Sequence, residues 1–187
     1  MKKLAISLTG LFLIMVFITD TASAQWGIGA SYEIRNESPK NGFGVRVEKG
    51  IFSSVPLIDF QVRGHFSTFS EENSVTREGI AFDREFDVYD FGAALVAGVN
   101  LGVVKPYAGA GLGSERYRFD SINNSSSSLE VNVSESNYYW NGFGGAEVTL
   151  LPFLKPFIEF RYSKLFEPDD LDFDQVSRLA IGVNFRF

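Results

Sequence analysis

The one histidine of this 187-residue chain, His65, stands in the stretch RGHFSTFSEE. Ser67 follows two positions later, and Glu71 and Glu72 lie just beyond. In an extended backbone, residues two apart share a face. An imidazole and a hydroxyl would then stand side by side, with carboxylates near. A base beside a hydroxyl, oriented by an acid, is the arrangement that activates a serine nucleophile. Two other stretches hold candidate chemistry. GAGLG, Gly109 to Gly113, has the glycine density of a phosphate cradle. No helical pattern follows whose N-terminus could hold an anion, so these glycines read as strand interior. EPDDLDFD, Glu167 to Asp174, gathers carboxylates that could bind Ca²⁺ or Mg²⁺. It lacks the spacing and the glycine of an EF-hand loop and reads as a solvated acidic loop, able to bridge through divalent ions to anionic surface lipid. None of these residues is assigned a catalytic, cofactor-binding or metal-binding role from the sequence.

The elements that must carry these residues begin behind an export signal. Lys2 and Lys3 precede the apolar run LAISLTGLFLIMVFIT, and ASA then places small residues at Ala22 and Ala24. This is the layout of a signal peptide over residues 1–24, cleaved before Gln25. Its removal takes 17 basic and 23 acidic residues to 15 and 22, a net charge of −7, because Lys2, Lys3 and Asp20 are lost. So acidic a chain repels phosphates, and nucleic acid is not an expected partner. The absence of cysteine excludes a disulfide framework, a thiol nucleophile and a lipidated N-terminal cysteine. Residues 25–187 fit one domain.

Period-two alternation runs through that domain. WGIGASYEI sets Trp26, Ile28, Ala30, Tyr32 and Ile34 against Gly27, Gly29, Ser31 and Glu33. GFGVRVE, LIDFQVRGHFS and YDFGAALVAGVNL alternate in the same way. PYAGAGLGSERY, YWNGFGGAEVTL, FIEFRYSK and the closing RLAIGVNFRF complete a count of eight. In YWNGFGGAEVTL the pattern is imperfect, because Phe143 falls on the polar face. The connections alternate in length. Short ones are KGIFSSVP, LGVVK and LPFLKP; longer polar ones are RNESPKN, TFSEENSVTREGIAFDRE, ERYRFDSINNSSSSLEVNVSESN and EPDDLDFDQ. The two long middle loops are expected to be mobile and solvated, and the N-x-S triplets at Asn123, Asn124 and Asn132 read as polar loop composition. Tight turns at one end and long loops at the other are the pattern of transmembrane β-barrels.

A strand in lipid must satisfy every backbone group, so its sheet has to close, and about 9–11 tilted residues suffice for one crossing. The apolar faces would then meet lipid, with Trp26, Tyr32, Tyr89, Trp140 and Tyr162 towards strand ends. Glu33, Arg46, Glu48, Asp59, Arg63, Glu147, Glu159, Arg161 and Arg186 would turn inwards and pair. Placed towards lipid, an Arg near the midplane would cost about 2–4 kcal/mol. An eight-stranded barrel is only just wide enough for side chains to fill; Gly109, Gly111 and Gly113 are expected to make room for long Arg and Glu chains. The inverted arrangement, a soluble lipocalin-like barrel, would usually carry a C-terminal helix.

The terminal RLAIGVNFRF resembles the last strand of bacterial outer-membrane barrels, in which a final Phe and alternating apolar residues are read by the insertion machinery. Leu179, Ile181, Val183, Phe185 and Phe187 match that pattern. With KPYAGAGLG, GGAEV and FIEFRYS, residues 25–187 resemble the small eight-stranded outer-membrane proteins of the OmpA, OmpX and opacity-protein type. The resemblance implies an all-β, eight-stranded antiparallel up-and-down transmembrane barrel. It further implies location in a bacterial outer membrane, termini in the periplasm and no peptidoglycan-binding domain after the barrel. Expected partners are outer-membrane lipid and lipopolysaccharide, the insertion machinery at Phe187, and extracellular partners of the loops, with the barrel a monomer. The expected role is non-enzymatic: structural, or adhesin-like surface interaction through the loops. A narrow pore is the alternative. A lipid A deacylase is the more distant one, because His65 and Ser67 resemble the H-x-S pair of that family. In that family the pair faces lipid from a late strand within a motif containing Ser-Asn-Ala-Gly. Here FIEFRYSK has no histidine, and alternation turns His65 and Ser67 inwards.

Overall fold

The computed structural model describes residues 26–52, 57–77, 80–123, 133–149, 151, 153–166 and 173–187. The signal peptide expected over residues 1–24 lies outside them. Eight strands are present: β1 Trp26–Arg35, β2 Asn41–Phe52, β3 Ile58–Arg77, β4 Ile80–Val99, β5 Val104–Asn123, β6 Val133–Val148, β7 Leu154–Leu165 and β8 Gln175–Arg186. Each pairs antiparallel with the next, and β8 pairs with β1 to close the barrel. The seam runs from Gly27 opposite Arg186 to Arg35 opposite Arg178. Beyond it the backbones of Trp26 and Phe187 exchange two hydrogen bonds of 3.0 Å.

The faces follow the alternation. Ile28, Tyr32, Val45, Phe66, Phe91, Leu95, Leu112, Trp140, Phe160, Ile181 and Phe185 stand exposed on the outer wall. Glu33, Arg46, Glu48, Arg63, Glu147, Glu159 and Arg161 are buried inside. Tyrosine hydroxyls on the outer wall near the long-loop end reach polar partners: Tyr32 donates to Asn41 at 3.0 Å and Tyr162 to Gln175 at 2.7 Å. At the short-turn end the Lys49 ammonium lies 5.1 Å from the Trp26 ring. These amphipathic rings frame the apolar band at its two edges.

Two expectations change. TFSEENSVTREGIAFDRE is not mainly loop: the β3–β4 ladder continues from Phe69 opposite Val88 to Arg77 opposite Ile80. β5 likewise pairs with β4 as far as Asn123 and with β6 as far as Val133. Alternation of apolar and polar residues records apolar surroundings on one face. Where water meets both faces, strands form without it. Residues 78–79 and 124–132 lie outside the described residues, including Asn124 and Asn132.

The second change concerns the inward glycines. They admit aromatic rings more than Arg and Glu. Phe143 stands opposite Gly109, Tyr139 opposite Gly113, Tyr107 opposite Gly145 and Phe157 opposite Gly182. A Cβ on Gly109 would meet the Phe143 ring and come within 2.6 Å of the Leu95 carbonyl. At Gly145 it would lie 2.7 Å from the Tyr107 hydroxyl, and at Gly182 it would lie 2.7 Å from the Phe157 ring. Gly111 sits against the backbone of Ala94. Charged chains do claim the space at Gly44, beside Glu33, and at Gly29, where a Cβ would lie 3.1 Å from Arg46. This also explains Phe143: its ring lies 4.8 Å from the Arg63 guanidinium and 5.3 Å from that of Arg161, so its π face serves the cations of the interior.

Candidate functional site

Two ion-pair networks fill the barrel, built on arginines that alternation sends inwards. Near the short turns, Arg63 on β3 contacts Glu48 at 2.8 Å and also holds Glu159. Arg46 on β2 donates to Asn184 at 2.9 Å, lies 3.3 Å from Glu48 and 3.4 Å from Glu159, and its guanidinium sits 3.3 Å above the Phe157 ring. Arg186 reaches Glu48 at 3.3 Å and Glu147 at 3.2 Å, while Lys105 pairs with Asp59. Nearer the long loops, Arg178 on β8 holds Glu33 at 3.2 Å, Glu115 at 3.0 Å and Asp90. Arg35 adds a contact to Glu115 at 3.3 Å, and Tyr117 donates to the same carboxylate.

Against the lower network packs an apolar cluster of Ala94, Val96, Tyr107 and Phe143, with the Arg63 guanidinium 5.1 Å from the Tyr107 ring and 4.8 Å from that of Phe143. Above the upper network, Phe69, Val88 and Tyr117 form a second layer with Phe86 and Phe173 packed on it. Both Arg35 and Arg178 sit 4.8 Å from the Phe69 ring. The sequence reading missed this upper layer. Its signal was present, since Phe69, Val88 and Tyr117 are apolar residues at polar-face positions above the membrane-length segments.

Each of Glu33, Glu48, Asp59, Asp90, Glu115, Glu147 and Glu159 lies within 3.2 Å of a cationic group. Each of these carboxylates thus has a cationic partner to offset the cost of its burial.

His65 and Ser67 do point inwards, as expected, but the structure does not join them. Ser67 donates to Glu33 at 3.1 Å. His65 Nε2 lies 3.1 Å from the Tyr139 hydroxyl and 3.5 Å from Asp90. Tyr139 itself donates to Asp90. Each hydroxyl is thus tied to a carboxylate already held by Arg178, and both residues sit inside the wall, away from any lipid substrate. Glu71 lies further along β3, and the Glu72 side chain falls outside the described residues. Gly109–Gly113 lies within β5, which continues as strand to Asn123. Of the acidic stretch Glu167–Asp174, only Phe173 and Asp174 are described; Asp174 is exposed, 3.9 Å from the Lys164 ammonium. Among the described residues no group of three or more acidic, His or Cys side chains is placed to hold a metal.

The outer end offers a different feature. The last β2–β3 pair is Gly42 with Phe69, and the last β6–β7 pair is Tyr139 with Leu165. β3, β4, β5 and β6 continue beyond both as a four-stranded sheet. Ser70–Arg77 of β3 therefore forms an edge, and Val133–Asn137 of β6 the other, with no further strand on either among the described residues. At about 3.3 Å per residue the β3 edge rises roughly 25 Å.

Similar proteins agree with this architecture. The crystal structure of Ail, the attachment invasion locus protein of Yersinia pestis, in complex with the heparin analogue sucrose octasulfate is 19% identical, with a TM-score of 0.59 over 89% of this chain and 100% of that one. Neisserial surface protein A is 18% identical, with a TM-score of 0.61 over 90% of this chain and all 100% of its own. A major outer membrane protein from Thermus thermophilus has a TM-score of 0.70 at 12% identity, over 89% of this chain and 100% of that one. No curated protein sequence matches the chain. The profile described as outer membrane protein beta-barrel domain matches residues 8–187, and the closed, inside-polar cylinder is what such a domain requires. The chain belongs to the outer membrane protein β-barrel domain family, and its place is the bacterial outer membrane.

Proposed function

We propose that this barrel is a non-enzymatic, adhesin-like scaffold that presents the sheet of β3–β6 to partners outside the cell. The observation that carries the reading is the sheet itself, which among the described residues leaves two strand edges without a neighbouring strand beyond the barrel rim. Such edges can accept an extended segment of another protein by strand addition. Filled interior layers support a scaffold over a pore, since the ion pairs and the Phe69–Val88–Tyr117 layer occupy the axis. The sheet's sequence is acidic: Glu71, Glu72, Asp83, Glu85, Asp87, Asp120 and Glu135 outnumber Arg77, Arg84, Arg116 and Arg118. Sulfated glycans of the kind seen with Ail would meet net repulsion here, whereas a basic extended peptide segment would be attracted.

The test replaces residues 71–86 by Asn-Gly, which closes β3 on β4 between Ser70 and Asp87, a registered pair. Cells displaying the intact barrel should adhere to surfaces coated with basic proteins and not to heparin, and the shortened barrel should lose that adhesion while still migrating as a folded, heat-modifiable band. Planar bilayers should pass no steady current of porin size with either form. Unchanged adhesion of the shortened barrel, or porin-size currents, would refute the proposal.

A further inference from the structure

Arg161 is the interior arginine with the smallest share of negative charge. Its one carboxylate partner is Glu159, met at 2.9 Å, and the other oxygen of that carboxylate is taken by Arg46 and Arg63. Opposite Arg161 on β8 stands Arg178, and opposite Arg178 on β1 stands Arg35. Three inward arginines thus form one row across β7, β8 and β1. Like charges directly opposite one another destabilise a sheet unless something offsets them. The carboxylates that Arg178 and Arg35 hold are Glu33, Asp90 and Glu115, none of which Arg161 contacts. From the short turns up to the Phe69 layer, the described inward cations number eight, six arginines with Lys105 and Lys155, against the seven carboxylates of the networks. Leaving His65 aside, that interior carries one positive charge in excess.

The donors of Arg161 are uncommitted as well. It is 6% exposed, yet only Nη2 has a partner; Nε and Nη1 are buried with none. Asn141 on β6 is 1% exposed, and neither atom of its amide has a partner. Asn141 stands opposite Ser163, and Phe143 opposite Arg161. Asn141 and Arg161 are therefore diagonal neighbours on the inner face, roughly 7–8 Å apart at Cα and within reach of each other's side chains. The row neighbours of Asn141 are Gly111 and Ser163, both small, which keeps room beside the amide. The Nε of Arg178, across from Arg161, is a further buried N–H without a partner. The charge of Arg161 acts in turn on His65, Asp90 and Tyr139 from three other strands, so its guanidinium reaches into the lumen between the two networks. Buried donors of a charged side chain are costly to leave without an acceptor.

An anion answers the charge and the donors together. A neutral molecule could accept from the N–H groups but would leave the excess charge, and a divalent anion would reverse it. The narrow lumen of an eight-stranded barrel limits the ion to a small one. We infer that Arg161 and Asn141 form a binding site for one monovalent anion of chloride size, held by the Nε and Nη1 hydrogens of Arg161 and the Nδ2 hydrogens of Asn141. Hydrogen bonds with an ionised partner are roughly twice as strong as neutral ones. The Phe69–Val88–Tyr117 layer above and the network of Arg46, Arg63 and Glu159 below enclose the ion. It is a structural ion of the closed barrel, separate from the sheet of β3–β6 beyond the rim.

Bromide and chloride are the probes. The full barrel, folded and crystallised in bromide, should show an anomalous peak in the lumen within hydrogen-bond reach of Arg161 and Asn141. In phospholipid vesicles at constant ionic strength, with gluconate in place of chloride, the urea midpoint should rise by about 0.7 M for each tenfold increase in chloride above its dissociation constant. Asn141→Leu, close in volume but without donors, should lose the peak and flatten the chloride dependence, and Arg161→Gln should do the same. Gln61→Leu, an inward change whose amide serves Asp59, should keep both, and heat-modifiable migration verifies that each variant is folded. The proposal is overturned if the parent's lumen holds no bromide, as it would with water there. It is overturned equally by an adventitious ion only, with bromide confined to the outer surface, or by a chloride dependence that Asn141→Leu leaves unchanged.

Discussion

Arg178 is the side chain whose loss should be felt most. It is 2% exposed and reaches across the barrel from β8 to Glu33 on β1, Asp90 on β4 and Glu115 on β5. Arg178→Met keeps most of the stem and removes the charge. Three buried carboxylates then lose their shared cation. Glu115 retains Arg35, and Asp90 retains Tyr139 and His65, whereas Glu33 is left with the hydroxyls of Ser31 and Ser67. Removing one partner of a buried ion pair costs about 3–5 kcal/mol, chiefly because a charge is stranded. With a urea slope of about 2 kcal/mol per molar, the unfolding midpoint should fall by about 2 M. Trp26 and Trp140, both on the outer wall, report the transition by fluorescence in phospholipid bilayers. Adding Glu33→Gln to Arg178→Met should restore part of the loss, because neutralising the orphaned acid removes the penalty at its source. A midpoint for Arg178→Met within about 0.25 M of the parent, equivalent to about 0.5 kcal/mol at that slope, would refute the reasoning. So would a further loss on adding Glu33→Gln.

Four further outcomes follow from the barrel wall and its interior. Gly109→Ala, whose new Cβ collides with Phe143 and the Leu95 carbonyl, should cost about 1–3 kcal/mol in that urea titration. Gly144→Ala, an outward site whose Cβ would find only the Tyr107 carbonyl at 3.8 Å, should stay within about 0.5 kcal/mol of the parent. Arg63→Ala removes the cation shared by Glu48 and Glu159, and should destabilise by about 3–5 kcal/mol while opening no steady conductance in planar bilayers, because the Phe69 layer above remains. His65→Ala should leave the acylation of added lipopolysaccharide unchanged by mass spectrometry, since His65 contacts Tyr139 and Asp90 within the wall.

The sequence revealed most where the membrane imposes its rule. From Trp26 to Ile34 and from Leu179 to Phe185, lipid on one side and a narrow polar interior on the other leave no freedom, so alternation identifies both strand and face. Beyond Phe69 that constraint ends. Ser70–Arg77 and Ile80–Asp87 pair strand to strand without the alternation that lipid imposes, and their composition therefore read as loop. Phe143 was conspicuous as an exception but could not be explained from one strand, because its reason is Gly109 on the neighbour and the cations Arg63 and Arg161 on others. The pairings of Arg46 with Asn184 and of Arg178 with Asp90 were equally hidden. They connect residues far apart in the chain, and which ends meet depends on the stagger of the closed sheet. Charge signs foretold that acids and bases would pair, without telling which.

The same dependence suggests what the interior charges accomplish. Replaced by well-packed apolar groups, buried ion pairs often lose little stability or gain some, so stability alone is a weak reason for so many. Register is a stronger one. A slip of one residue turns apolar side chains inwards and is prohibited by the lipid. A slip of two preserves every face, and hydrophobicity cannot oppose it. Between β5 and β6 the glycine–aromatic pairs do. In the native register Gly113 meets Tyr139, Gly109 meets Phe143, and Tyr107 meets Gly145. Shifted by two one way, Tyr107 would confront Phe143 in a space that holds one ring; shifted the other way, Tyr139 would confront Glu115. The arginines extend this discrimination beyond neighbours. Arg46 on β2 needs Asn184 on β8, and Arg178 on β8 needs Asp90 on β4, so a slip at any seam between them strands a charge. Close-range fit thus selects each pair of strands, and long-range charge selects the barrel in which all eight agree.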